Sequence, residues 1–101
     1  QFVFHGYAPI QKDDLSKFIK NIFSDLNKTG YTQAFMETPY RNMKLLDALI
    51  QYLPGNTLLS ISADISGENE MIETKTIKDW GNGSINIHKV PAVFCIGNFP
   101  E

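Results

Sequence analysis

The segment with the most chemical content is Phe35-Met36-Glu37-Thr38-Pro39-Tyr40-Arg41. An apolar run ends there, a carboxylate and a hydroxyl follow, and a Thr-Pro pair opens a helix. The Thr38 hydroxyl can accept an orphan backbone N–H, and proline is tolerated at the first helical position. In open α/β sheets, ligands gather beyond the carboxyl ends of strands, close to helix N-termini. At such a place Glu37 can accept hydrogen bonds from hydroxyl or amino groups of a ligand. Arg41, one helical turn on, can pair with Glu37 or reach a phosphate. The plainer alternative is a helix cap with a solvated ion pair. Ala63-Asp64 ends a second apolar run, and it lies at the same sheet edge if the two strands are parallel. Carboxylates at two strand ends on one edge favour a cleft over an isolated cap.

Other reactive residues carry less. His5 and His88 are far apart and have no Cys or His at ligand spacing, so each reads as a surface or loop histidine. Cys95 is the only cysteine, so no internal disulfide forms, and it lies within an apolar strand where a small buried residue is expected. No phosphate-binding glycine loop or nucleophile elbow is present. Ile87-His88-Lys89-Val90-Pro91 ahead of an apolar strand resembles the proline strand of a thioredoxin fold. Thiol chemistry there would need a Cys-x-x-Cys on the first helix, and the chain has Tyr7-Ala8-Pro9-Ile10 in the corresponding loop.

The elements that must position these residues follow from periodicity. Phe2-Val3-Phe4 predicts a short strand that ends in a loop at Gly6 and Pro9. Leu15, Phe18, Ile19, Ile22, Phe23 and Leu26 share one helical face. Asp13 and Asp14 stand at its positive end, Lys28 is in its last turn, and Gly30 can supply a left-handed cap. Tyr31 to Met36 reads as a strand. A second helix starts at Thr38-Pro39, continues through Leu46, Leu49, Ile50 and Leu53, and stops at Pro54-Gly55. Thr57 to Ala63 reads as a largely buried strand with Leu59, Ile61 and Ala63 on one face. Ser66-Gly67-Glu68-Asn69 is a turn, and Met71 to Thr76 a strand with one wet face. Thr76 to Trp80 predicts a single helical turn. Val90 to Ile96 predicts a central strand that begins at a proline. Strands alternating with helices predict an α/β domain, a mixed sheet flanked by helices.

Composition bounds the function. The chain has 101 residues, 43% of them apolar, and a formal charge of −2 from 9 basic and 11 acidic groups. That is one globular domain without a basic stripe, so it is not an electrostatic nucleic-acid binder on its own. No apolar run approaches the roughly 20 residues needed to cross a bilayer, so no membrane partner is expected. A lone cysteine fits a cytoplasmic location. The chain opens at Gln1, without an initiator methionine, directly on an apolar run. We therefore expect residues 1–101 to be a single domain of a longer protein.

The combination Phe2-Val3-Phe4-His5-Gly6-Tyr7-Ala8-Pro9, Phe35-Met36-Glu37-Thr38-Pro39-Tyr40-Arg41, Ala63-Asp64 and Pro91-Ala92-Val93-Phe94-Cys95-Ile96-Gly97 resembles the C-terminal half of the tetrapyrrole methylase family. These are S-adenosylmethionine-dependent methyltransferases of the class III fold. The Glu37-to-Arg41 segment is most similar to the branch that methylates a cytidine ribose of small-subunit ribosomal RNA. Where that branch carries a basic Ala-Arg-Glu-Leu-Thr-Lys stretch, this chain reads Ala63-Asp64-Ile65-Ser66-Gly67-Glu68.

The resemblance implies a two-domain enzyme that holds S-adenosyl-L-methionine between its halves. The N-terminal methylase domain would be this chain's partner. Carried over by position, the cofactor points are Met36 and Glu37, Ala63 and Asp64, and Pro91 and Ala92. Arg41 would pair with substrate or hold structure. No catalytic base and no metal are expected in this half. The acceptor implied is ribosomal RNA or a tetrapyrrole, and the assembly implied is a homodimer. The competing reading is a stand-alone α/β protein-interaction module.

Overall fold

The structure, a computed structural model, describes residues 1–98. Strand β1 (Phe2–Tyr7) leads into helix α1 (Lys12–Thr29) and strand β2 (Thr32–Met36). A 3-10 turn (Pro39–Arg41) opens helix α2 (Asn42–Tyr52), followed by β3 (Leu58–Ala63) and β4 (Met71–Thr76). A short helix α3 (Ile77–Asn82) and β5 (Ala92–Gly97) complete the domain. The expected mixed sheet is present, with five strands in the order β1-β2-β5-β3-β4. Strand β1 is parallel to β2, while β5 is antiparallel to both β2 and β3. β2 and β3 therefore run parallel to each other on either side of β5, which is central as expected.

Local sequence explains the elements. In α1, Leu15, Ile19, Ile22 and Leu26 are buried at helical spacing, and Asp13 and Asp14 sit in the first turn. Gly30 ends the helix at φ 73°, with its N–H bonded to the Leu26 carbonyl. In the sheet, Phe35, Phe94, Ile96, Leu59 and Ile61 are fully enclosed. They form one core with the buried sides of all three helices. The Trp80 indole N–H adds a hydrogen bond to the Leu59 carbonyl at 2.8 Å, fixing α3 to β3. The helices thus cover one face of the sheet. The opposite face carries no helix among the described residues.

Three local expectations change. Strand β1 does not end at Phe4. Gly6, at φ 74°, takes up an irregularity in the pairing, so that Tyr7 still faces Met36. His5 is consequently a half-buried strand residue: its Nε2 lies 2.6 Å from the Gln33 amide oxygen and its ring meets Phe18 edge-on. His88 stays exposed in the loop before β5. Thr38 makes no side-chain cap: the Arg41 N–H goes to the Thr38 carbonyl at 2.9 Å, and the Glu37 carboxylate accepts the Thr38 N–H at 2.8 Å.

Candidate functional site

The parallel relation of β2 and β3 places their carboxyl ends at one edge of the sheet, with the start of β5 between them. Met36 lies opposite Val93, and Ser62 opposite Val93 from the other side. Ala63 lies opposite Ala92. The Asp64 N–H donates to the Pro91 carbonyl at 2.8 Å, extending the ladder by one residue. All three residue pairs singled out in the sequence therefore meet at this edge. The end of β1 joins them, since the Ala8 N–H donates to the Met36 carbonyl at 2.8 Å.

The side chains divide into those that shape the edge and those that line it. Glu37 is 4% exposed, and its two carboxylate oxygens face the Thr38 N–H at 2.8 Å and the Arg41 Nε at 3.4 Å. Arg41 also donates from Nη2 to the Ile10 carbonyl at 3.2 Å. The pair ties the β1–α1 loop to the start of α2. Asp64 adopts φ 51° and turns its carboxylate into its own loop, where Oδ2 accepts from the Asn69 N–H at 3.0 Å. A Cβ on Gly67 would overlap the Asp64 carboxylate, which would have to turn away to admit it. Ala63 and Ala92 point into the core. At Glu37, Asp64, Ala63 and Ala92 the edge thus offers main chain more than side chain.

The lining is a shallow depression of about 120 Å³ formed by Met36, Ser62, Ile65, Pro91, Ala92 and Val93. Tyr7, Tyr40 and Ile65 at this end of the sheet are 64%, 69% and 56% exposed and form its rim. Ser62, Ile65 and Val93 were not among the expected site residues. Their signal was available only as neighbours of the strand ends, since cross-strand register is invisible in the sequence.

Asn42 was also missed. It is fully buried at the start of α2, and its amide donates to the Ile87 and Val90 carbonyls at 3.0 and 2.5 Å. With the Lys89 N–H bonded to the Pro39 carbonyl at 3.0 Å, it clamps the tight turn that delivers Pro91 to the edge. Its signal was legible: Asn42 stands three and four residues before Leu45 and Leu46, on the apolar stripe of α2.

Among the described residues no group of three or more His, Cys, Asp or Glu is placed to hold a metal ion. No helix among them is long and apolar enough to cross a membrane. What the edge can do is bind: it presents an apolar, mostly main-chain surface, with His88 against the ring of Tyr40 at its rim.

No protein-family model matches the sequence, and no curated protein matches it. Solved structures do match. The methyltransferase CobJ superposes with a TM-score of 0.58 at 13% identity, over 96% of this chain and 41% of CobJ. The cobalamin biosynthetic enzyme cobalt precorrin-4 methyltransferase, CbiF, gives a TM-score of 0.53 at 16% identity, over 96% of this chain and 40% of CbiF. The chain therefore has a fold found within these methyltransferases and spans about two fifths of their length.

Proposed function

We propose that this edge is one wall of an S-adenosylmethionine cleft, and that the chain is the C-terminal domain of a methyltransferase whose N-terminal domain supplies the other wall. The observation that carries the reading is the convergence of Met36-Glu37, Ala63-Asp64 and Pro91-Ala92 at one sheet edge, in a fold shared with two methyltransferases.

The residues fit part of that cofactor. A depression of about 120 Å³ is well below the roughly 300–1,000 Å³ of pockets that enclose a small molecule. It suits one flat face of an adenosine, with the remainder covered from outside. The cofactor supplies an activated methyl group on its sulfonium. This chain's contribution is placement and dryness. Met36, Ile65 and Val93 give an apolar surface, Ala63 and Ala92 bring main chain close, and Glu37 with Arg41 keeps the loops at a fixed distance. Holding a donor at attack distance and excluding water are sufficient tasks for a transfer that needs no protein nucleophile. The carboxylates of Glu37 and Asp64 are already engaged with the chain itself, so neither serves as a base in this reading.

For the acceptor we favour an organic ring of tetrapyrrole type over an RNA ribose. The loop after β3 carries Asp64, Glu68 and Glu70 and no basic residue, so it repels a phosphate backbone. CbiF, which shares the fold, is by name a cobalt precorrin-4 methyltransferase. The test is transfer of a labelled methyl group by the longer protein to a corrin or porphyrin precursor and, in parallel, to small-subunit ribosomal RNA. Label in RNA alone would overturn the choice of acceptor. Label in neither, with no cofactor binding, would overturn the methyltransferase reading.

A further inference from the structure

A groove runs between the first turn of α1 and the length of α2, on the helix side of the fold. Its volume is about 330 Å³, within the roughly 300–1,000 Å³ of pockets that hold small molecules. It shares no lining residue with the strand-end depression. Helical periodicity builds it. On α1, Lys12 and Leu15 share one face, three residues apart, so Asp13 and Asp14 of the same turn stand off it. On α2, Lys44, Ala48 and Tyr52 recur every fourth residue along one stripe, and Arg41 continues it from the preceding turn.

The groove has an apolar floor and a basic rim. Leu15 is buried and Ala48 and Tyr52 are half-buried, while Ile10, 61% exposed, stands beside them. Lys12 and Lys44 are exposed at the rim, with Arg41 next to them. Asp47 is the one carboxylate in the lining, and it also borders the hollow on the far side of α2, which puts it at the margin. Among the described residues neither Lys12 nor Lys44 belongs to an ion pair, whereas Arg41 is held by the buried Glu37 carboxylate. With that pair neutral, two lysines against one aspartate leave a single net positive charge over the floor, in a chain whose formal charge is −2.

We propose that this groove binds a small organic acid, a single carboxylate on an apolar ring body, as a ligand separate from the cofactor and the methyl acceptor. The ring lies on Leu15, Ala48 and Tyr52, and the carboxylate meets the ammonium groups of Lys12 and Lys44. A single positive surplus balances a monoanion and leaves a polyphosphate unbalanced. Ile10, Leu15, Ala48 and Tyr52 cover one ring system. They fall short of the anchor row over several turns that an amphipathic peptide helix needs. Contact with the floor supplies the affinity, and the lysines select the sign of the charge.

The experiment is calorimetric titration of 2-naphthoate into the full-length protein, beside its uncharged counterpart 2-naphthamide. Lys12→Glu and Lys44→Glu are separate variants, and Lys78→Glu, at an exposed position of α3, controls for net charge. Both groove lysines are exposed, so neither reversal touches the core, and circular dichroism confirms the fold of each variant. Naphthoate should bind with a dissociation constant below about 1 mM and at least tenfold more tightly than naphthamide. Either groove variant should weaken naphthoate tenfold or more, because a charge at contact distance is reversed, and leave naphthamide unchanged. Lys78→Glu should alter neither by more than about twofold, since a distant exposed charge is screened. Equal affinity for acid and amide would overturn the proposal, as would no binding of naphthoate up to about 5 mM. A preference for the acid that survives both groove variants, or falls as much in Lys78→Glu, would overturn it too. S-adenosylmethionine is titrated into the same samples, and its binding does not depend on the result, because no groove residue lines the strand-end depression.

Discussion

Asn42→Ala should destabilise the domain out of proportion to the atoms removed. The Asn42 amide donates to the Ile87 and Val90 carbonyls, at 3.0 and 2.5 Å. Alanine leaves the Val90 oxygen without that donor at a site closed to water on the Asn42 side, where the residue is 0% exposed, whereas the Ile87 oxygen keeps the Val90 N–H at 3.3 Å. An orphaned buried acceptor costs about 1–3 kcal/mol. One acceptor loses its donor and the other keeps a long backbone bond, so we expect a total of about 1–3 kcal/mol. For a domain of this size each kcal/mol moves the melting temperature by about 4–8 °C, so the midpoint should fall by roughly 4–24 °C. Urea denaturation followed by tryptophan fluorescence measures the change through Trp80, and an unchanged slope would show that only stability moved. Asn42→Asp should lose at least as much, since a carboxylate cannot donate. Amide exchange at Lys89 should accelerate as the turn loosens. A loss under about 0.5 kcal/mol for Asn42→Ala would refute the clamp, and with it the explanation of how Pro91 reaches the edge.

Leu49 is fully enclosed between α2 and the sheet, so Leu49→Ala should cost about 2–5 kcal/mol in the same assay; a surface-like cost would mean the helix faces are misassigned. Pro91 is exposed and lines the strand-end depression. Pro91→Trp should therefore leave the melting temperature nearly unchanged while lowering S-adenosylmethionine affinity of the longer protein tenfold or more, and an unaltered affinity would remove Pro91 from the cleft. Burial pushes the Cys95 thiol above its ordinary value. The folded state then holds the proton where the unfolded chain releases it, so this group's stabilisation is complete at neutral pH and declines as pH rises past the ordinary thiol range. Cys95→Ser should flatten that alkaline decline in a pH series of melting curves, and an identical decline would show that the thiol plays no part.

Much of this was legible in the residues, for physical reasons that differ by element. Helix α1 declared itself because its apolar positions recur at a period that nothing else mimics, between two carboxylates and a capping glycine. β5 was readable as central because it is apolar on both faces, although the helices cover only one of them and leave Val93 and Cys95 half-exposed on the other. The gathering of three strand ends was foreseen only conditionally, since whether β2 and β3 run parallel depends on β5, which follows them in sequence and inserts between them. Side-chain direction was the least legible. Ala63 and Ala92 looked like pocket residues, yet their methyl groups pack into the core and only their main chain reaches the edge. Glu37 read as a ligand acceptor, but its nearest donors are its own neighbour Thr38 and Arg41. The bare sheet face was hidden for a related reason: alternation such as Ile72, Thr74 and Thr76 states that two faces differ and leaves open which one the helices cover.

The decisive measurement is calorimetric titration of S-adenosylmethionine into the full-length protein encoded by the gene, with the 101-residue chain run beside it. Micromolar binding to the full-length protein, with little to the short chain, is the predicted result, because the depression formed by Met36, Ser62, Ile65, Pro91, Ala92 and Val93 covers only part of the cofactor. Absence of binding to a folded full-length protein would contradict the assignment of the strand-end edge as a cofactor wall.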